Sequence, residues 1–358
     1  MKNDAFQIEF AEHHDIALLS STLPPLPTVV RYFDDFAGET RTLRELMNVQ
    51  LVFLELDGGK IPVDFGRFGT FDLVMKHVFI DWLTRFDPHS VGYYVQTLFS
   101  YLARHSLDRL IQLAVSTPFD ARAQWNGKLS HNTTAAETWG IRAMLHSLCR
   151  LSIGHWTPSS ASIIRTLKSP KVDKYRVVRA GDCFLPLDQQ AMIVNHIDSM
   201  CGKLATDPVS LGHEELRDVC ILVMSFQYAF RPGQIARIEL ADVRLFSTGA
   251  VHVAVSIVKQ RDINKRVRIT RRVKREWGPL FDELVKRRES GTIQPEEGVP
   301  PRLLFGLTPQ GVSRAIMDLT EELTGEPWSP TDLRHTAAQR LADGGISHAG
   351  LTEFMGQT

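Results

Sequence analysis

The stretch that decides the fold is SPTDLRHTAAQRLADGGISHAGLTEFMG, which spans residues 329–356. Its apolar residues repeat at three and four residue spacing on either side of Gly344-Gly345, a pattern typical of two short amphipathic helices. The glycine pair ends the first helix as a C-cap, and Ser347 begins the second helix as an N-cap. This reading places Arg334 in the first turn of the first helix. The predicted helices cover about residues 333–342 and 347–355.

Two earlier stretches complete this half of the chain. In FQYAFRPGQIARIELADV, residues 226–243, an apolar helix must stop before Arg231-Pro232, because proline lacks a backbone N–H and disfavours helix in the residue before it. In SIVKQRDINKRVRIT, residues 256–270, β-branched residues flank a polar connection. We therefore predict a β-hairpin that carries most of its positive charge on the loop and the outgoing strand. The predicted strands are 251–258 and 266–269.

Three cations in these stretches lie where the chain changes direction: Arg231 at a helix end, Lys259 at the start of the hairpin loop, and Arg334 at a helix start. The planar guanidinium of arginine can hold two phosphate oxygens at once, and lysine can also donate a proton to a departing oxygen. Together they would stabilise the charge that accumulates during phosphoryl transfer without a metal. The three residues are therefore a candidate phosphate site.

The order and wording of these stretches resemble the tyrosine recombinase (phage integrase) family, over roughly residues 184–358. The resemblance implies that Arg231, Lys259 and Arg334 bind and activate the scissile phosphate of double-stranded DNA. It further implies a helical core-binding domain upstream, a clamp of both domains around DNA, and cutting and rejoining through a 3′-phosphotyrosine intermediate. Self-association on DNA as a tetrameric synapse, and service to a mobile genetic element, are also implied.

The chain departs from the family pattern at several positions. Thr331 stands where the family usually has a histidine, and threonine cannot act as a base near neutral pH. Gln357 replaces a histidine or tryptophan, and Gln234 replaces a glutamate. The resemblance implies a nucleophilic tyrosine shortly after Gln357, whereas the last tyrosine in the sequence is Tyr228. We expect the chain as it stands to be truncated before its nucleophile and inactive in cleavage, with Thr331 and Gln357 giving lesser phosphate contacts.

Two residues near this site have competing interpretations. His335 adjoins Arg334, and a hydrogen-bonded structural role is favoured over direct catalysis. Lys265 competes with Lys259 as the hairpin lysine that protonates the leaving oxygen. Sequence reasoning leaves both alternatives open.

The charge of the chain is divided unevenly. Its 358 residues hold 41 Lys plus Arg and 41 Asp plus Glu, and a net charge of zero argues at face value against a nucleic-acid partner. Residues 1–70 hold eleven acids and six bases, whereas residues 165–179 hold six bases and one acid, and residues 259–275 nine bases and one acid. Such tracts indicate contact with a polyanion, although a solvated charged face is the alternative for each. The expected DNA-binding residues are Arg165, Lys168, Lys171, Lys174, Arg176, Arg179, Arg261, Lys265, Arg266 and Arg268.

Helical periodicity before this half runs from Phe71 to about Trp156, and includes a capping box from Thr134 to Glu137 with Trp139 on the inward face. We predict a mainly α protein with small β elements. It would comprise a helical core-binding domain, a mixed α+β catalytic domain and an additional acidic N-terminal segment with some β structure. The predicted limits are 1–69 for the N-terminal segment, 70–158 for the helical domain, 159–183 for a basic linker and 184–358 for the catalytic domain.

Metals, cofactors and membranes are not expected. The four cysteines lack CxxC spacing, the histidines lack paired ligand spacing, and no glycine-rich phosphate loop opens a helix. No apolar run approaches the roughly 18 residues needed to span a bilayer, and the start of the chain lacks the apolar core of a signal peptide. We expect a cytoplasmic, nucleoid-associated protein of bacterial or phage origin.

Two other functions remain open from the sequence. A DNA-binding or architectural protein that keeps the fold without strand cleavage is supported by Thr331. A helical protein-interaction module would require the basic hairpin to be incidental. The acidic N-terminal segment could serve protein contacts, autoinhibition or packing against the helical domain.

Overall fold

The computed structural model describes residue 16 and residues 19–129, 132–173, 175–257 and 268–356. The chain forms two compact units, Met1–Asp173 and Lys174–Thr358. The division falls within 159–183, the range that the sequence predicts as a linker. None of the helices among the described residues is long and apolar enough to cross a membrane.

The first unit begins with two antiparallel β-hairpins. Their strands are β1 (Val29–Asp34), β2 (Glu39–Arg44), β3 (Leu51–Leu56) and β4 (Gly59–Asp64). Val30 lies opposite Leu43, and Val52 lies opposite Val63. These four side chains are buried, because alternate residues of a strand point to the same face. Each hairpin therefore turns one apolar face inward.

Helices make up the rest of the first unit, after a 3₁₀ turn at Phe65–Phe71. They are α1 (Asp72–Arg85), α2 (Pro88–Arg104), α3 (Leu107–Val115), α4 (Pro118–Gln124), α5 (Ala135–Leu151) and α6 (Ala161–Ile164). The sequence specifies the starts of two of them. Asp87 caps α2 by accepting a hydrogen bond from the His89 N–H, and Thr134 and Glu137 form the expected capping box of α5.

The hairpins and the helices share a single hydrophobic core. Tyr32 and Leu54 of the hairpins join Trp82 of α1 and Leu98 of α2 in one buried cluster, which extends to Leu167. Each large apolar side chain buried in this way contributes roughly 1.5–3 kcal/mol. The acidic N-terminal segment thus packs against the helical domain, one of the three roles considered for it.

The inward orientation predicted for Trp139 is wrong. The capping box begins α5 at Ala135, and the buried face then follows Ile141, Met144 and Leu148. Trp139 is two residues before Ile141, about 200° around the helix. Its side chain is accordingly 45% exposed.

The second unit combines helices with a small sheet. Its helices are α7 (Arg176–Ala180), α8 (Leu187–Thr206), α9 (His213–Phe226), α10 (Pro232–Ala236), α11 (Gly278–Glu289), α12 (Pro309–Thr324), α13 (Pro330–Asp343) and α14 (His348–Phe354). Its strands are β5 (Val243–Leu245), β6 (Val251–Ser256) and β7 (Arg268–Arg272). The strands form an antiparallel sheet in the order β5-β6-β7, and Leu216 to Phe226 of α9 supply much of the buried apolar surface.

The predicted hairpin is present, and β6 begins at Val251 as predicted. Val255 of β6 lies opposite Ile269 of β7, and β7 runs to Arg272 instead of ending at Ile269. The ladder continues because the Val273 N–H bonds to the Val251 carbonyl. Overall the protein is mainly α-helical with small β elements, as expected.

Candidate functional site

A cleft of about 440 Å³ lies in the second unit between α13, α14 and the start of α10. One face of α13 and one face of α14 line it, because residues three and four apart lie on the same side of a helix. None of the described residues that line it is acidic. They are Arg231, Pro232, Pro330, Thr331, Arg334, His335, Ala338, His348, Leu351, Thr352 and Met355.

Arg334 is held by backbone carbonyls. Its guanidinium donates to the Ala229 carbonyl, and its Nη2 donates to the Met355 carbonyl 2.6 Å away. The residue is only 8% exposed. Hydrogen bonds from a charged group are worth about 1.5–3 kcal/mol. Arg334 therefore joins the turn after α9 to the end of α14, with its position in the cleft fixed before any ligand arrives.

The cleft is electrostatically suited to an anion. Burial, with a smaller contribution from the positive charge of Arg231, lowers the pKa of Arg334 to about 10. Arg334 consequently stays charged near neutral pH. Two like charges that face one cleft gain free energy when a negative ligand lies between them. Phosphate and carboxylate groups are the anions whose geometry matches the guanidinium fork.

A strained turn directs Arg231 toward the cleft. Ala229 adopts φ 57°, a left-handed conformation that is uncommon for a residue with a Cβ. Helix α9 ends there because the Phe230 N–H bonds to the Met224 carbonyl, 3.2 Å away. The chain then begins α10 at Pro232, with Arg231 as its N-cap residue. The helix stops before Arg231-Pro232, as expected from the sequence, and Pro232 is the first residue of α10.

Gln234 fixes the backbone of this turn. Its side-chain oxygen accepts from the Arg231 N–H at 2.9 Å. Its amide nitrogen donates to the Ser256 carbonyl at the end of β6, at 3.5 Å. Gln234 is 1% exposed, so these contacts are shielded from water. Glutamine stands here where the family usually has glutamate, and its two hydrogen bonds link the Arg231 turn to the hairpin.

The start of α13 differs from the prediction. Ser329 and Asp332 form a capping box that begins the helix at Pro330. Arg334 consequently lies in the second turn, and its placement in the first turn was wrong. Thr331 occupies the first turn, is exposed, and faces the cleft. Its hydroxyl is free to be oriented by a ligand, and a threonine hydroxyl can donate one hydrogen bond.

Two histidines line the cleft. His335 is half-buried and meets the ring of Phe184 edge-on, with centroids 6.5 Å apart. This contact fits a structural role, and its place in the cleft lining keeps direct contact with a ligand open. His348, in the first turn of α14, is exposed and lines the same cleft. Sequence reasoning missed it, although the 348, 351, 352, 355 spacing could have identified it.

Two structural arginines in this region were also missed. Arg271 donates from Nη2 to the Phe354 carbonyl at 2.8 Å and lies 4.9 Å from the Phe354 ring centroid. Arg340 donates to the Phe226 carbonyl and lies 4.1 Å over the ring of that residue. Strand alternation gave a signal for Arg271, because it pairs with the buried Val253. These arginines hold the walls of the cleft.

Tyr228, the last tyrosine of the sequence, has a structural role. Its hydroxyl donates to the Arg272 carbonyl at 2.9 Å and accepts from the Lys274 N–H at 3.0 Å. Burial raises the pKa of Tyr228, which disfavours the phenolate form. The residue does not line the cleft.

The other predicted contact residues are spread over both units. The exposed ones are Arg165, Lys168, Lys171, Arg176 and Arg179. Arg268 forms an ion pair with the buried carboxylate of Asp242, so part of its charge is already balanced. Lys174, Lys259, Arg261, Lys265, Arg266 and Gln357 lie outside the described residues.

One group of side chains in the first unit has the composition of a metal site. Asp35, Asp57 and His89 each bring one ligand atom within 4.8 Å of the others. The sequence gave no signal for it, because the three residues come from two hairpin turns and the start of α2. His89 Nε2 lies 3.3 Å from a carboxylate oxygen of Asp57, an ion-pair distance that accounts for the proximity.

Comparison with known proteins identifies relatives by sequence. A scan against models of protein families finds no match. The chain is 26% identical over 167 residues to the tyrosine recombinase XerC of Corynebacterium glutamicum, a match that covers 45% of this chain. The chain spans about half the length of this curated relative, with 50% of it aligned.

Two solved structures, of a recombinase and of an integrase, align with most of the chain at low identity. The XerA recombinase aligns with 80% of this chain and 90% of its own at 14% identity and a TM-score of 0.35. The Tn1549 transposon integrase in complex with circular intermediate DNA aligns with 79% of this chain and 91% of its own at 14% identity and a TM-score of 0.43. Both TM-scores lie below 0.5. The match to XerC agrees with the resemblance to tyrosine recombinases that the arginine-bearing motifs carry.

Proposed function

We propose that the protein binds double-stranded DNA, holds one phosphodiester in the cleft of the second unit, and breaks and rejoins the strand at that phosphate. One observation carries the proposal. Arg231 and the buried, doubly anchored Arg334 face the same cleft, and no acidic residue lines it among the described residues. An arrangement of fixed cations around a phosphate stabilises charge that develops in phosphoryl transfer.

Each side chain in the cleft would have a separate task. Arg231 and Arg334 would bind the non-bridging oxygens, and Thr331 would donate a further hydrogen bond. A hairpin lysine, Lys259 or Lys265, would protonate the leaving 5′-oxygen. The bond from Gln234 to the Ser256 carbonyl supports this, because it connects the Arg231 turn to the strand that leads into the hairpin loop. Gln357 would add a lesser contact.

The attack on phosphorus would come from a tyrosine and would give a 3′-phosphotyrosine link. No tyrosine is among the described residues that line the cleft. Self-association on DNA, recombination of a mobile element, and a place at the nucleoid complete the proposal.

The first part of the test measures DNA binding. Wild type, Arg231→Ala and Thr331→Val are titrated with a duplex of mixed sequence at several salt concentrations. Loss of a phosphate-binding arginine should weaken binding and reduce the salt slope by about 0.9. Thr331→Val should leave the slope unchanged because it removes no charge. Equal slopes for wild type and Arg231→Ala would contradict the proposed cleft contact.

The second part tests strand breakage with the protein expressed from its complete reading frame. Duplexes selected by binding from a randomised pool are nicked close to the bound region and incubated in EDTA. A covalent protein–DNA adduct that forms in wild type and not in Arg334→Lys supports strand breaking. Absence of an adduct on every selected duplex would reject it.

A DNA-binding protein without cleavage is the second candidate. Thr331 favours it, since this exposed position in the cleft cannot supply a base near neutral pH. That function predicts the same salt-dependent DNA binding and the same loss of DNA affinity in Arg231→Ala. It predicts no covalent protein–DNA adduct when the protein is expressed from its complete reading frame. The adduct experiment therefore separates the two functions.

A further inference from the structure

Helix α14 brings an imidazole to the cleft of the second unit. Ser347 caps the helix by accepting a hydrogen bond from the Gly350 N–H at 3.2 Å, so His348 is its first residue. His348 is exposed and lines the cleft together with Leu351 and Met355, which follow it at helical spacing. Because the cap fixes where α14 begins, His348 lies on the side of the helix that faces the cleft.

Two arginines hold the end of α14 in place. The Met355 carbonyl accepts from Nη2 of Arg334 at 2.6 Å, and the Phe354 carbonyl accepts from Nη2 of Arg271 at 2.8 Å. One of these donors is the buried arginine of the candidate phosphate site itself. His348 therefore sits on a helix whose end is bonded directly to that arginine.

The ring of His348 is available to a ligand. Other histidines of the second unit already have partners: Arg287 donates to the ring of His213 at 3.0 Å, and the rings of His252 and Phe246 lie 4.8 Å apart. Within the part of the chain that the structure describes, the ring of His348 has no hydrogen-bond, ion-pair or aromatic partner. An exposed imidazole of this kind can turn toward a bound group.

The charges around the cleft couple the protonation of His348 to anion binding. Arg231 and Arg334 line the cleft, and none of its described lining residues is acidic. Two positive charges oppose a third one nearby, whereas an anion between them favours it. An imidazolium has two N–H donors. A bound phosphate would therefore gain a charge-assisted hydrogen bond when His348 takes up a proton.

The other titratable groups near α14 are few among the described residues. His335 of α13 lines the same cleft. Glu353 is on α14, does not line the cleft, and acts on the charge of Arg271. Asp332 is engaged in the capping box of α13. Histidine is the side chain whose charge normally changes between about pH 5 and pH 8, so His348 and His335 are the two groups to compare.

We propose that His348 is a phosphate ligand of the cleft, whose imidazolium donates a hydrogen bond to a non-bridging oxygen held by Arg231 and Arg334. It supplies, from the first turn of α14, the imidazole that is missing at Thr331 in the first turn of α13. The inference rests on the proposed function for the identity of the anion as a DNA phosphodiester. A donor fixed at this place stabilises the charge that develops in phosphoryl transfer.

The first test measures sulfate binding by isothermal titration for wild type, His348→Gln and His252→Gln. Sulfate remains a dianion from pH 6 to pH 8, so a change in affinity reports on the protein. Wild type should bind sulfate roughly two- to fivefold more tightly at pH 6, since a protonated His348 adds one exposed charge contact. His348→Gln should lose most of this difference, whereas His252→Gln, which does not line the cleft, should keep it.

Two results would overturn the assignment. One is an equal pH dependence of sulfate affinity in wild type and His348→Gln. The other is loss of the pH dependence in His335→Gln with His348→Gln unchanged, which would move the contact to His335. Position 348 is exposed, so the variant is expected to fold, and urea denaturation verifies this.

The second test asks whether positions 331 and 348 face the same anion. Thr331→His is combined with His348→Gln, which moves the imidazole from α14 to α13. The double variant should regain the tighter sulfate binding at pH 6 that His348→Gln loses. A double variant that behaves like His348→Gln would overturn the proposal that His348 takes the place of an imidazole at position 331.

Duplex binding separates this inference from the proposed function. His348→Gln should weaken binding of a mixed-sequence duplex roughly two- to fivefold at pH 6 and have little effect at pH 8. If wild type binds the duplex and His348→Gln binds it equally well at both pH values, the role of His348 is rejected and the cleft proposal stands. If wild type binds sulfate through His348 and binds no duplex, the proposed function fails and with it the phosphodiester as ligand.

Discussion

The guanidinium of Arg334 donates from Nη2 to the carbonyl oxygen of Met355, 2.6 Å away, and so ties α13 to the end of α14. The same side chain donates to the Ala229 carbonyl in the turn that precedes Arg231. A single buried cation thus organises three segments around the cleft. Its structural and ligand-binding contributions can be separated by comparison with Arg231.

Replacement of Arg334 should affect both stability and binding. Arg334→Ala leaves two buried carbonyls without their donor, so we expect the free energy of unfolding to fall by about 2–4 kcal/mol. Arg231→Ala should cost less than about 1 kcal/mol, because the Gln234 cap uses the Arg231 backbone. Both variants should lose DNA affinity. Urea denaturation and duplex titration measure the two effects, and equal stability losses would contradict the distinction.

Gln234 should control Arg231 without touching the ligand. Gln234→Leu removes the acceptor for the Arg231 N–H and the donor to the Ser256 carbonyl. We expect a stability loss of about 1–3 kcal/mol and weaker DNA binding with an unchanged salt slope, since no charge is lost. Gln234→Glu keeps the acceptor and should retain more affinity than the leucine variant. The idea fails if leucine and glutamate variants bind DNA as tightly as wild type.

Acid should destabilise the fold below about pH 6.5. Burial is the main cause that lowers the pKa values of His77, His146 and His196 from 6.5. The unfolded chain then binds more protons than the folded chain as the pH falls below 6.5, so stability decreases toward the folded pKa values. Above 6.5 this contribution is constant. Urea unfolding at pH 7.5 and 5.5 should show a lower free energy of unfolding at pH 5.5, and His146→Gln should make this difference smaller. Equal stability at the two pH values would contradict the lowered pKa values of these histidines.

An imidazole at position 331 should be tolerated. Thr331 is exposed in the first turn of α13, where substitutions usually change stability by less than about 0.5 kcal/mol. Thr331→His should also strengthen binding of inorganic phosphate two- to tenfold at pH 6, because an added imidazolium would face Arg231 and Arg334 across the ligand. Isothermal titration with phosphate provides the measurement, with Val209→His as a control on an exposed 3₁₀ turn. An equal gain in phosphate affinity with Val209→His would indicate that the added positive charge causes the effect wherever it lies, which would contradict a phosphate site beside position 331.

Local chemistry in the sequence was sufficient to predict much of the second unit. Proline after Arg231, the alternation of β6 and the Ser347 cap each specify structure through backbone hydrogen bonding, and the structure contains all three features. The position of Arg334 was missed by one turn because the Ser329–Asp332 capping box was not recognised. Local patterns decide element type more reliably than element ends.

Features that depend on long-range packing could not be predicted. Helical periodicity predicted Trp139 on the inward face, yet the buried face of α5 follows Ile141 and Met144 in the shared core. Similarly, Asp35, Asp57 and His89 meet only when two hairpins pack beside α2.

Cross-linking from the cleft tests most directly whether it binds a DNA phosphodiester. A photoreactive benzoylphenylalanine replaces Thr331, which is exposed and lines the cleft, and a second protein carries it at Val209, which is 91% exposed in the same unit. We predict irradiation to join duplex DNA to position 331, to give little adduct at position 209, and to lose the adduct when Arg231→Ala is added. A protein that shifts the duplex in a gel and cross-links equally from both positions, or only from position 209, would contradict the cleft as the phosphate site.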